Sequence, residues 1–204
     1  MLCYKLSFEF KHFGLLKDYI YESFQNKEVI PIETKELGML IKRISGGETE
    51  ALELLYREMK DCVFGLALVY TKSYADADDV VHDTFLAVWK NADTYTEVNP
   101  KSWIMTIARN FSLKCIKRKN EICEYDENIL SDDFSDKLAN VDMINKMLEN
   151  LGEKEREIVM LYSHGFSHSE IAKITGSTYA TVRWKYRNAI KKLTRLFGDE
   201  SENE

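Results

Sequence analysis

The sequence predicts an all-α fold of two small helical domains joined by an acidic flexible linker, the C-terminal one a helix-turn-helix. Three observations predict it. Of 204 residues only 2 are proline and 9 glycine, which favours long uninterrupted helices over a turn-dense β fold. Apolar residues recur at steps of three and four, and no strand-like alternation of useful length occurs in the body of the chain. A stretch rich in acids and weak in apolar residues, 120–140, separates two such periodic blocks.

In the first block, Glu48–Tyr70 carries Leu52, Leu55, Met59, Val63, Leu66 and Tyr70 on one face of an amphipathic helix. After the polar break Thr71–Tyr74, a second helix has Ala77, Val81, Phe85, Val88 and Ala92 as its core stripe. Asp76, Asp79 and Asp83 repeat on a different face, which is either solvated surface or a docking face for a basic partner. Asn99-Pro100 opens a third helix, because proline at the first turn lacks only an N–H that has no partner there. That helix, about Lys101–Lys119, turns Ile104, Ile107/Ala108, Phe111 and Cys115 inward. Trp103, Asn110, Lys114 and Lys117 lie on a neighbouring face.

Beyond the linker, Val141, Ile144, Leu148 and Leu151 mark one helix and Glu153–Ser163 another, broken by His164-Gly165. Ser167 and Glu170 fit a capping box, opening a short helix that reaches Thr175. Gly176 supplies the turn and Thr178 caps the last helix, whose inward residues are Val182, Tyr186, Ala189/Ile190, Leu193 and Phe197. A helix-turn-helix needs a small residue where its helices approach, a glycine in the turn and a branched apolar residue closing the mini-core. Ala172, Gly176 and Val182 meet all three needs. The exposed face of the last helix then offers Arg183, Arg187, Lys191 and Arg195, with Trp184, Lys185 and Asn188 beside them. Arg and Asn near the start of such a helix suit guanine and adenine edges in the major groove, and later cations suit phosphates.

The net charge of −6 argues against nucleic acid only on average. Lys101, Arg109, Lys114, Lys117, Arg118 and Lys119 form an acid-free basic run. Arg183, Lys185, Arg187, Lys191, Lys192 and Arg195 form a second. Exposed charges are screened beyond ~8–10 Å, so these local surfaces decide attraction to phosphates. No apolar run approaches the ~20 residues of a membrane span. The start Met1-Leu-Cys-Tyr-Lys has no signal-peptide order, so a cytoplasmic location is expected. Cys3, Cys62, Cys115 and Cys123 show no C-x-x-C spacing; Cys62 and Cys115 fall on apolar stripes and read as core. His82 and His168 read as lying on exposed polar faces. No catalytic motif, metal set or cofactor loop is present, so neither an enzyme nor a cofactor is expected.

The quoted elements resemble the extracytoplasmic-function (ECF, group 4) sigma factors, the minimal two-domain members of the sigma-70 family of bacterial RNA polymerase. The matching segments are Ala51-Leu-Glu-Leu-Leu-Tyr-Arg57, Asp76-Ala-Asp-Asp-Val-Val-His-Asp-Thr-Phe-Leu-Ala-Val-Trp89 and Asn99-Pro-Lys-Ser-Trp-Ile-Met-Thr-Ile-Ala-Arg-Asn110. Leu151-Gly-Glu-Lys-Glu-Arg-Glu-Ile-Val159 and Gly165 through Lys192 complete the family's order. The resemblance implies a region 2 domain at 34–119, a connector at 120–140, a region 4 domain at 141–197 and an acidic tail at 198–204. Residues 1–33 lie upstream of the family's usual start. With Phe8, Phe10, Phe13, Leu16, Tyr19 and Ile20 they form either an extra packing helix or an over-long gene start.

It further implies roles. Asp76, Asp79, His82, Asp83 and Trp89 would dock on the β′ clamp helices of core polymerase. Tyr95, Trp103, Arg109, Asn110, Lys114, Lys117 and Arg118 would hold the −10 element as single strand, which suits aromatic rings beside cations; Trp103 reads equally as a packed core anchor. Thr178, Tyr179, Thr181, Arg183, Trp184, Lys185, Arg187, Asn188, Lys191 and Lys192 would meet −35 duplex. The other implied partners are the polymerase β flap, promoter DNA and an anti-sigma factor. Ser177, Trp184 and Asn188 depart from the family's usual residues. Trp184 therefore either contacts a thymine methyl or sugar, or packs on the neighbouring helix. The alternative reading is a stand-alone helix-turn-helix regulator acting without polymerase.

Overall fold

The computed structural model describes residues 34–96, 99–123 and 150–197. The N-terminal extension, most of the linker, the helix expected around Val141–Leu148 and the acidic tail lie outside them. Among the described residues there are seven α-helices and no strand. They are α1 (Thr34–Ser45), α2 (Thr49–Thr71), α3 (Tyr74–Asn91), α4 (Pro100–Cys123), α5 (Glu153–Ser163), α6 (His168–Thr175) and α7 (Tyr179–Phe197), with a single 3₁₀ turn at Ala92–Thr94.

The first four helices pack around α2. Its expected stripe is buried at Leu55, Met59, Val63, Leu66 and Tyr70, and its second half is buried on more than one face because α3, α4 and α5 all lie against it. Fully burying a side chain such as Leu55 or Leu66 is worth about 1.5–3 kcal/mol. Lys72 ends α2 in the left-handed region (φ 53°), its N–H bonded to the Leu68 carbonyl. Ser73 then caps α3, its hydroxyl accepting from the Asp76 N–H. The core stripe of α3 is as expected, with Ala77, Val81, Phe85, Val88 and Ala92 all buried.

Helix α4 runs further than expected, to Cys123. No glycine or proline intervenes after Lys119, and Lys117 pairs with Glu121 one turn on, so the first residues of the acidic stretch are helical. Asn99 caps its start by accepting the Ser102 N–H at 3.0 Å.

The C-terminal three helices form the expected helix-turn-helix with α5 as its support. The Ser167–Glu170 capping box is present in full. Gly176 sits at φ 63°, and Thr178 accepts the Thr181 N–H at the start of α7. Ala172, Val182, Ala189 and Leu193 are buried between the helices. Lys192 donates to Glu155 at 2.7 Å, and Glu155 also accepts the Gly152 N–H, so α7 is tied to the first turn of α5. A Cβ at Gly176 would meet nothing within 4 Å, so its requirement is backbone only. Gly176→Ala should therefore cost about 1–2 kcal/mol, read as a lowered urea midpoint with unchanged slope.

The two blocks also meet. Helix α2 packs on α5 and α4 on α6, and one continuous apolar cluster runs from Leu37 and Ile104 to Ile158, Phe166 and Ile171.

Candidate nucleic-acid interface

Helix α7 presents the clearest surface. Burial of Val182, Ala189 and Leu193 fixes its rotation, which leaves Arg183, Arg187, Lys191 and Arg195 exposed in a row. Trp184 is 62% exposed and Tyr179 53%, so Trp184 does not pack on a neighbouring helix; Lys185 lies 5.9 Å from its ring centre. Lys185 and Asn188 are half-buried at the edge of the row. Thr178 and Thr181 serve the cap. Lys192, expected among the DNA-facing cations, is held by Glu155 instead.

His168 was expected on an exposed polar face and is half-buried in an aromatic cluster. Its ring stacks on Tyr162 at 5.1 Å and meets Tyr186 and Tyr179 edge-on. Burial lowers its pKa and nearby Arg183 lowers it further. The cluster thus joins α5, α6 and α7 behind the basic row.

The −10 set is split. Tyr95 and Trp103 lean together with centroids 5.3 Å apart, both half-buried. Gly38 of α1 lies beside the Tyr95 hydroxyl, which is 3.7 Å from where a Cβ would be, an ordinary van der Waals separation. Asn110, Lys114, Lys117 and Arg118 are exposed along α4. Arg109 is not with them. Its Nε donates to Glu157 Oε1 at 2.7 Å, the two side chains being 19% and 2% exposed. Burial lowers the Arg109 pKa, and the Glu157 carboxylate more than reverses this. The Tyr70 hydroxyl shares that carboxylate, and burial together with Glu157 pushes its pKa well up.

On α3 the acids divide similarly. Asp79, His82 and Asp83 are exposed. Asp76, expected beside them, is only 14% exposed and pairs with Lys119 of α4. Trp89 is half-buried and lines an apolar groove of about 490 Å³ between α2 and α3, with Leu52, Tyr56, His82, Phe85 and Leu86. Sequence reading missed the groove. Its signal was Leu86, an apolar residue 42% exposed beside the carboxylate face.

Cys62 is buried and its thiol pushed up to about 12 by that burial; its Sγ lies 3.6 Å from Met105 Sδ. Cys115 is half-buried, and its thiol is raised for the same reason. Among the described residues no group of three His, Cys, Asp or Glu side chains could hold a metal ion, and no helix is long and apolar enough to cross a membrane.

Several of these groups make stability depend on pH. Burial raises the carboxyls of Asp76, Glu155 and Glu170, but hydrogen bonds from Lys119 and Ser73, from Lys192 and Gly152, and from Ser167 and Asn99 bring each below its ordinary value. His164 and His168 are also lowered, chiefly by burial. In all five the unfolded chain takes up the proton first as pH falls, so their stabilisation is present above the ordinary value and lost below it. The urea midpoint should fall first below about pH 6.5 through the histidines and again below about pH 4.5 through the carboxylates. Glu155→Gln should shrink only the second decline.

Comparison with known families assigns both halves. The Sigma-70 region 2 model matches residues 55–122, and the Sigma-70 region 4 model matches residues 142–193. The ECF RNA polymerase sigma factor SigK of Mycolicibacterium vanbaalenii is 22% identical over 182 residues, covering 83% of this chain and 93% of the relative. The ECF RNA polymerase sigma factor BldN of Streptomyces coelicolor is 25% identical, covering 79% of this chain and 66% of the relative. Among solved structures, CnrH in complex with the cytosolic domain of CnrY superposes with a TM-score of 0.62 at 22% identity, covering 81% of this chain and 99% of that one. The sigma factor RpoE in complex with the anti-sigma factor NepR from Bartonella quintana gives 0.59 at 25% identity, covering 70% and 93%. With both regions matched in order over more than half its length, the chain belongs to the sigma-70 family of RNA polymerase sigma factors, in the ECF group.

Proposed function

We propose that the protein is a dissociable initiation subunit working through three surfaces. The open cationic row on α7 carries this reading, because it stands on a helix-turn-helix that follows a region 2 domain in the same chain. Residues 141–197 read −35 duplex through Thr178, Tyr179, Thr181, Arg183, Trp184, Lys185, Arg187, Asn188 and Lys191. The exposed indole of Trp184 suits a thymine methyl or a sugar. Residues 34–119 dock on the β′ clamp helices through Asp79, His82, Asp83 and Trp89, whose groove takes apolar side chains while the carboxylates meet cations. The Tyr95–Trp103 pair stacks unpaired bases of the −10 strand, and Lys114, Lys117 and Arg118 follow its phosphates.

The protein itself catalyses no reaction and acts in the cytoplasm, where core polymerase works. Residues 120–140 connect the two domains, and the β flap receives the second. An anti-sigma factor fits the same surfaces, since the similar RpoE is found in complex with one. Run-off transcription with purified core enzyme on genomic promoters tests the proposal. Promoter-specific transcripts that require both proteins are expected. Tight duplex binding by the free protein, with no transcript when core is added, would favour the stand-alone regulator.

A further inference from the structure

The groove between α2 and α3 is open and apolar, and its rim is acidic. Leu52 and Tyr56 of α2 line it together with Phe85, Leu86 and Trp89 of α3, around about 490 Å³, within the ~300–1,000 Å³ of pockets that bury whole ligands. Tyr56 meets Phe85 edge-on at 4.8 Å, yet Tyr56 and Leu86 each remain 42% exposed. Exposed apolar surface rimmed by polar residues marks a place where another chain segment packs. Glu53 stands in the wall, and Glu50, Asp79 and Asp83 are exposed within a turn of residues that line it. Arg57 and Lys90 are the cations next to it in sequence. The site therefore suits apolar side chains on a segment that carries positive charge.

The chain itself contains such a segment. Residues 1–33 precede α1. Their first half holds Phe8, Phe10 and Phe13 close together and carries Lys5, Lys11 and Lys17 against a single acid, Glu9. Their second half has the opposite balance, with Asp18, Glu22, Glu28 and Glu33 against Lys27, and suits an acidic rim poorly. The point from which the segment departs is close to the groove. Helix α1 begins at Thr34 and packs on the 3₁₀ turn Ala92–Thr94, Gly38 lying beside the Tyr95 hydroxyl. That turn directly follows the end of α3 that bears Trp89. From Trp89 back to His82 the groove extends about 10 Å along α3, whereas residues 18–33 reach ~50 Å when extended. Tethering at this range gives an effective concentration of millimolar order, so that even a weak contact is populated.

We propose that the α2–α3 groove is a docking site for the chain's own N-terminal segment, residues 5–17. Its phenylalanines enter between Tyr56, Leu86 and Trp89, and its lysines meet Glu53, Asp79 and Asp83. The docking stands on the groove and the segment alone. Its consequence, competition with core polymerase for the same face, rests on the reading of α3 as the core-docking helix. A groove filled in about four molecules of five lowers apparent affinity for a competing occupant about fivefold.

The test uses the full-length chain with p-benzoylphenylalanine in place of Phe10, irradiated and then digested with trypsin. Cross-links are expected on residues 44–57, which carry Leu52 and Tyr56, or on residues 73–90, which carry Phe85, Leu86 and Trp89. Their yield should not change on dilution and should be lost in Leu86→Glu, which sets a carboxylate against the seated ring. Leu86 is exposed and off the buried stripe of α3, so circular dichroism should show the helices intact. In a separate chain, Phe8→Ser, Phe10→Ser and Phe13→Ser together should raise affinity for core polymerase about fivefold, measured by anisotropy.

Cross-links scattered over the chain, or unaffected by Leu86→Glu, would overturn the docking. A yield that falls on dilution would overturn it too, because a second copy would then supply the segment. With no cross-link in the parent and core binding lost in Leu86→Glu, the docking would fall while the reading of the groove as a core-docking face stood. Groove cross-links with core affinity unchanged in the triple variant would establish the docking and remove the groove from the core-binding face.

Discussion

Replacing Arg183 and Arg187 together by alanine is expected to reduce run-off transcription from a −35-dependent promoter by at least about 30-fold while leaving core binding unchanged. Each arginine, placed for a bidentate contact to a base edge, is worth about 1–3 kcal/mol of recognition, and a loss of 1.4 kcal/mol is tenfold in affinity. Both side chains are exposed, and the rotation of α7 is set by buried Val182, Ala189 and Leu193, so the fold should survive. Circular dichroism and co-purification with core enzyme supply the controls. If the double variant transcribed at the parent's rate from a promoter whose −35 element is essential, the assignment of the α7 row to duplex would fail. Loss of core association would equally contradict the division of labour between the domains.

The complementary change, Asp79→Arg with Asp83→Arg, should lower affinity for core polymerase about 100-fold, since like charges set against each other cost several kcal/mol. Both carboxylates are exposed on α3, opposite its buried stripe, and flank the end of the groove at His82 and Leu86. Helix α3 should still form, because Ser73 caps it and Val81, Phe85 and Val88 anchor it. Binding to a −35 duplex by the free protein should not fall. A normal core affinity, measured by anisotropy at two salt concentrations, would remove α3 from the docking surface. A loss confined to low salt would mean that charge steers the encounter without setting the complex.

What the sequence showed plainly is what neighbouring residues decide among themselves. The stripes of α2 and α3, the Ser167–Glu170 box, the left-handed Gly176 and the Thr178 cap were all legible, because each depends on spacings of a few residues. Trp184 was open between two environments, and only the rotation of α7 against α5 and α6 decided that it faces solvent. Where the reading went astray, a long-range partner was responsible. Arg109 and Lys192 looked like members of basic rows, yet Glu157 and Glu155, 48 and 37 residues away, hold them. Asp76 looked like its neighbours Asp79 and Asp83 but meets Lys119, 43 residues on. Glu157 itself sat unnoticed in Glu153-Lys-Glu-Arg-Glu157, a run indistinguishable from a solvated helix start. His168 joined three tyrosines from flanking helices, which no local periodicity announces.

Glu170 divides its work between its two oxygens. Oε2 accepts the Ser167 N–H and hydroxyl that begin α6, while Oε1 takes the Asn99 amide. Asn99 does the same, keeping Oδ1 for the Ser102 N–H that begins α4 and lending only Nδ2 to the bridge. Breaking the bridge alone would leave neither helix start bare. The seam would then yield as a hinge and not by melting of α4 or α6, on the microsecond-to-millisecond scale of domain motions. The first-turn amides of both helices would keep their hydrogen-exchange protection if the bridge were lost.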